Sequence, residues 1–86
     1  MPRISQFRGI DISMYYNDHA PPHFHAEHGD DEAVIDITNL TVIDGSLPSK
    51  LLKLVLQWAR QHQQDLLDDW QLARARRPLQ QITPLS

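Results

Sequence analysis

The chain contains no cysteine. Disulfides, thiolate-bound metal and cysteine nucleophiles are therefore excluded, and any metal ligands must be imidazole or carboxylate. It has no apolar run near the ~20 residues of a membrane span. The opening Met1-Pro2-Arg3-Ile4-Ser5 carries no apolar segment of the secretory kind. The expectation is a cytoplasmic protein with no membrane attachment. Internal repeats and long linkers are also lacking, so the 86 residues are read as one domain. Basic residues are scarce in the first half. Residues 1–46 hold Arg3 and Arg8 against eight acidic residues, a net charge of −6, whereas residues 47–86 are net +3. An extended nucleic-acid surface on the first half is thereby disfavoured, and RNA is a weak candidate partner. Only Arg74-Ala75-Arg76-Arg77 offers a small basic patch.

What is present divides the chain in two. Residues 1–46 read as strand-rich. Ile10-Asp11-Ile12-Ser13-Met14-Tyr15-Tyr16 alternates with period two, placing Ile10, Ile12, Met14 and Tyr16 on a buried face. Asn17-Asp18-His19-Ala20-Pro21-Pro22 interrupts the strand, because two prolines fix φ and remove two N–H donors. His23–His28 is extended again. Gly29-Asp30-Asp31 predicts a hairpin turn into Glu32–Ile37, and Leu40–Asp44 is a further strand, closed by Gly45-Ser46.

Residues 47–77 read as helical. Pro48 suits a first helical turn, with Ser46 or Leu47 as cap. Leu51, Val55, Trp58, His62, Leu66, Trp70 and Ala73 keep one face of a 3.6-residue period. Trp58 and Trp70 are expected in the core, His62 buried or half-buried against a backbone partner, and Asp65, Asp68 and Asp69 on a solvated face. One helix over 48–76 would be about 43 Å long, against a radius of gyration near 12 Å for a chain this size. A break near 63–65 is expected, or a far end that packs on a partner. Pro78 should stop the helix, leaving 78–86 as a tail. The fold class is α+β: a small antiparallel sheet of three to four strands, followed by a C-terminal helical segment on one face.

Four of the five histidines fall between residues 19 and 28. On a strand, i, i+2 and i+4 share a face, so His23, His25 and Glu27 project together, with Phe24 and Ala26 towards the core. His19 lies on the Pro-Pro turn that enters this strand, and Asp18 is near enough in sequence to reach the same spot. Two or three imidazoles and a carboxylate suit Zn²⁺, Ni²⁺, Mn²⁺ or Fe²⁺, with His19, His23, His25 and Glu27 as candidate ligands. The metal-free alternative uses His23 and His25 as acid and base, Arg74 as an anion clamp, and Tyr15 or Tyr16 as donor, much as in a metal-free ribonuclease. The plainest alternative is a set of exposed histidines without a role. Arg74, Arg76 and Arg77 equally suit the negative end of a helix dipole.

Met14-Tyr15-Tyr16-Asn17-Asp18-His19-x-Pro21-Pro22-His23-Phe24-His25, Leu54-Val55-Leu56-x-Trp58-Ala59, Trp70-x-Leu72-Ala73-Arg74 and Pro78-Leu79-x-x-Ile82-x-Pro84-Leu85 carry a resemblance over almost the whole chain. They resemble a family of short bacterial proteins, the domain of unknown function numbered 4160. The resemblance implies a gene beside that of a second small protein, in a pair similar to a toxin–antitoxin module. It also implies action through His19, His23 and His25, with the adjacent-gene protein as partner; a second copy of the chain is a further candidate partner. His28 departs from the tyrosine common in that family. Near Arg76 the family often has a helix-stopping glycine.

Overall fold

The computed structural model describes residues 2–86. Five strands, β1 (Arg3–Phe7), β2 (Ile10–Ser13), β3 (His23–His28), β4 (Asp31–Asp36) and β5 (Val42–Gly45), form one antiparallel sheet in chain order. Two helices follow, α1 (Ser49–Gln61) and α2 (Gln63–Arg74). This is the expected α+β class, with one strand more than the expected three to four.

The additional strand is β1. Its hairpin to β2 turns through Arg8 and Gly9, both at positive φ (53° and 75°). Such a turn ordinarily advertises itself as Asn-Gly or Asp-Gly. An irregular register between Arg3 and Ser5 also breaks the alternation, so Ile4 and Ser5 are both buried. The β3–β4 hairpin turns through Gly29-Asp30 where expected, pairing His28 with Asp31 and Glu27 with Glu32. The last strand starts two residues later than expected. Buried Asp36 ends β4 by accepting the backbone N–H groups of Thr38 (2.8 Å) and Asn39 (3.0 Å) on Oδ1, a side-chain-stabilised turn.

Both helices contribute to the core on one face of the sheet. Trp58 is fully buried between Phe7 (ring centroids 5.3 Å apart) and Phe24 (5.9 Å, edge-on), and Val55, Ala59, Leu66, Trp70 and Ala73 complete the helical side. Ile4, Ile10, Ile12, Met14, Phe24, Ala26, Ile35 and Ile37 supply the sheet side, all fully buried. Tyr16 is only half-buried, packed against this core.

The helical run breaks at His62 (φ −120°, ψ 25°), just before the expected 63–65. Beside the break, Gln63 Nε2 donates to the carbonyls of Ile37 (2.7 Å) and Thr38 (3.1 Å), fixing it to the end of β4. The fold is thereby held to a longest extent of 33 Å and a radius of gyration of 11.6 Å. The ring of His62 partners a side chain, Asp65 Oδ2 at 3.3 Å, rather than the backbone.

Three local expectations are corrected. Pro48 stands outside α1 as its cap residue, with extended ψ of 140°, not inside the first turn. Arg76, at φ 56°, stops α2 before Pro78 does. Its N–H bonds Ala73 O (3.1 Å) and that of Arg77 bonds Leu72 O (2.9 Å), the paired closure usually built on glycine. Asp69 lies not on a solvated face but inside, at 1 % exposure, whereas Asp65 and Asp68 are exposed.

Residues 78–86 form no regular element but pack back along β1. Ile82 is buried and its N–H donates to Ile4 O (2.8 Å). Gln81 Nε2 donates to Arg3 O (2.7 Å), and the Trp58 indole N–H to Thr83 O (2.8 Å). Asp69 Oδ1 accepts the Gln80 N–H at 2.9 Å. Among the described residues, no helix is long and apolar enough to cross a membrane.

Candidate functional site

The two-residue period of β3 sends Phe24 and Ala26 into the core and His23 and His25 to the opposite face. His23 is buried and His25 half-buried. Their rings make a T-shaped contact, with planes at 65° and centroids 5.3 Å apart. The Asn17–Pro22 connection, which includes a cis Ala20–Pro21 peptide, carries Asp18 over this face. A single oxygen, Asp18 Oδ2, lies 3.0 Å from His23 Nε2 and 2.9 Å from His25 Nε2.

The other nitrogen of each ring is already engaged. His23 Nδ1 lies 2.7 Å from Pro21 O, and His25 Nδ1 lies 2.8 Å from Glu32 Oε2. A carbonyl and a carboxylate only accept, so both Nδ1 atoms must donate. In neutral rings each Nε2 then carries a lone pair directed at Asp18 Oδ2, itself an acceptor. Three acceptor atoms then converge, an arrangement that protons shared in the His–Asp contacts or one metal ion would satisfy.

Asp18, His23 and His25 each offer one ligand atom, and these atoms all lie within 4.8 Å of one another. Metal bonds of about 2.0–2.2 Å place ligands at 90° about 2.9 Å apart, and tetrahedral ones about 3.4 Å apart. The Asp18 contacts at 2.9 and 3.0 Å match the first spacing. The Nδ1 contacts match the outer acceptors that orient metal-bound imidazoles.

Two of the four residues singled out for metal lie outside this group. Glu27 Oε1 instead accepts from Tyr15 Oη at 3.3 Å, and Asp18 supplies the carboxylate. Tyr15 stands edge-on to His25, with centroids 4.4 Å apart, and burial together with the neighbouring Glu27 raises its phenol pKa. His19 is exposed. It lines an open hollow of about 490 Å³ with Tyr16, Asn17, Asp18, Arg74 and Arg76. The expected clamp, Arg74, thus borders Asp18 from α2. At the start of β3, Trp70 of α2 also lies against His23, with ring centroids 5.2 Å apart. Glu32 is the residue that sequence reasoning missed. The two-residue turn sets Glu32 opposite Glu27 and diagonal to His25, so counting the hairpin register would have found it.

A sheet-and-helix domain with a histidine–aspartate cluster on the strand after a Pro-Pro connection is thus the class of protein in hand. The chain belongs to the family described as Domain of unknown function (DUF4160), whose model matches residues 9–71. No curated protein and no solved structure matches it.

Proposed function

We propose that this protein binds one divalent transition metal through Asp18 Oδ2, His23 Nε2 and His25 Nε2. The observation that carries the reading is the convergence of three acceptor atoms with both Nδ1 positions already occupied by acceptors. Two imidazoles and one carboxylate suit Zn²⁺, Mn²⁺, Fe²⁺ or Ni²⁺. Three protein ligands leave coordination positions open to water or substrate, as in catalytic rather than structural centres.

Elemental analysis tests this on untagged protein purified without metal-affinity resin, beside a His23→Ala, His25→Ala double variant. About one metal per chain, absent from the variant, is the expected result. No retained metal in either sample overturns the proposal. The cluster would then belong to the metal-free acid–base reading, with His25 held between Asp18 and Glu32.

A role beside the product of a neighbouring gene, in a toxin–antitoxin-like pair, is supported by the sequence resemblance and is compatible with such a centre. Co-expression of the two proteins followed by size-exclusion chromatography tests it. A stable complex is expected, and two independent peaks would rule it out.

A further inference from the structure

The hollow beside the histidine cluster pairs two elements of opposite character. The Asn17–His19 loop contributes Asp18, whose Oδ2 faces the two imidazoles. The C-terminal end of α2 contributes Arg74 and Arg76. Among the described residues neither arginine has a carboxylate partner within salt-bridge distance, although the chain carries more acidic than basic residues. Arg76 is instead positioned by a neutral acceptor, Asn17 Oδ1, at 3.0 Å. Held this way, its guanidinium keeps a full positive charge and further donors. His19 adds an exposed imidazole on the same wall.

We propose that this hollow is a subsite for a phosphate group of a small molecule, clamped by Arg74 and Arg76 with His19 as a further donor. The subsite rests on the metal reading, because Asp18 forms part of its wall. A divalent ion on the same three ligands would place two positive charges on that wall, facing two arginines. Metal and phosphate therefore strengthen one another's binding, as reciprocal coupling requires.

Phosphate suits the clamp because planar guanidinium groups donate in pairs to its oxygens. A small phosphorylated molecule suits the surroundings better than a polymer. The hollow holds about 490 Å³, and the strand-rich half around it is net −6, which disfavours a long polyanion.

The test is isothermal titration of Mn²⁺-loaded and chelator-treated full-length protein with inorganic phosphate, adenosine 5′-monophosphate and a ten-nucleotide RNA. Metal content is measured on each sample. The variants are Arg74→Gln, Arg74→Gln with Arg76→Gly, and Arg77→Gln as control, each checked for fold by circular dichroism. Arg76→Gly is chosen because glycine accepts the positive φ. The expected result is monophosphate binding by the loaded protein, about tenfold weaker after Arg74→Gln and after chelation. Metal content should stay unchanged in the arginine variants, and Arg77→Gln should match wild type. Retained metal with no phosphate binding, or with binding indifferent to Arg74, overturns the subsite and leaves the metal centre standing. Loss of metal from wild type on dialysis overturns the centre, and the coupled subsite with it. Tighter binding of the RNA than of either small phosphate overturns the small-molecule assignment.

Discussion

Arg76 Nη2 donates to Asn17 Oδ1 at 3.0 Å across 59 residues of sequence, joining the end of the last helix to the loop that carries Asp18. The same arginine stands at φ 56° and closes the helix. A left-handed conformation at a residue with a Cβ costs about 1–2 kcal/mol. Arg76→Gly should therefore stabilise the fold by roughly 0.5–1 kcal/mol, net of the lost side-chain bond, while loosening the Asp18 loop. Chemical denaturation measures the gain. A loss of stability would show that the Asn17 bond outweighs the backbone strain.

Asp18→Asn keeps the side-chain shape and removes the anion. In chelator the variant should melt within a few degrees of wild type. Saturating metal, at about a hundredfold over its dissociation constant, should stabilise wild type by about 2.7 kcal/mol, on the order of 10–20 °C for a chain this small. The variant should lose most of that rise, as thermal scans with and without metal would show.

Glu32→Gln leaves all three ligands in place and weakens the anchor on His25 Nδ1, 2.8 Å away. Metal affinity should fall about 10–100-fold, the usual effect of removing an orienting partner. Competition with a chromogenic chelator gives the number. Unchanged affinity would mean that the neighbouring rings alone orient His25.

Asp69 is buried, with Oδ1 bonded to Gln80 N–H and Oδ2 without a partner among the described residues. Burial raises its carboxyl pKa, the Gln80 N–H opposes the shift, and Asp65 and Asp68 add to it. The neutral form is favoured on folding. The associated stability is fully present below the ordinary carboxylate pKa and is lost as pH rises through the elevated folded value. Asp69→Asn preserves the Oδ1 acceptor and abolishes the charge. Its melting temperature should exceed that of wild type at pH 7 and converge with it near about pH 4.

Ile82→Ala should destabilise by about 2–4 kcal/mol, the range for truncating a buried isoleucine, although the residue belongs to no helix or strand. Urea unfolding followed through Trp58, whose indole N–H reaches Thr83 O, is the direct measurement. A change under 1 kcal/mol would mean that the 78–86 segment is dispensable.

The parts of this fold that obey a period were readable in the sequence. Phe24 and Ala26 against His23 and His25, the Gly29-Asp30 turn, and the Trp58–Trp70 stripe all follow from alternation or helical spacing. The break at His62 followed from length alone. What escaped lacked such a signature. The Arg8-Gly9 turn hides β1 behind an arginine at positive φ. Arg76 fills a position where glycine is usual. Asp69 carries a carboxyl group into the interior, against the ordinary distribution of its residue type. At the site, His23 and His25 were evident and Asp18 was within reach, but Asp18 rather than Glu27 meets them. That choice depends on how the Asn17–Pro22 connection folds back, which strand geometry does not encode.

The 78–86 segment lies along β1 and occupies the backbone acceptors of Arg3 and Ile4. One border of the sheet is thus covered by its own chain at Arg3 and Ile4. The other border, β5, is exposed along its length and displays Ile43 at 46 % exposure. A sheet sealed on one side cannot propagate through strand pairing. If two copies met by β5 against β5, the product would be a ten-stranded pair with both outer borders closed, and growth would end there instead of continuing into a fibre.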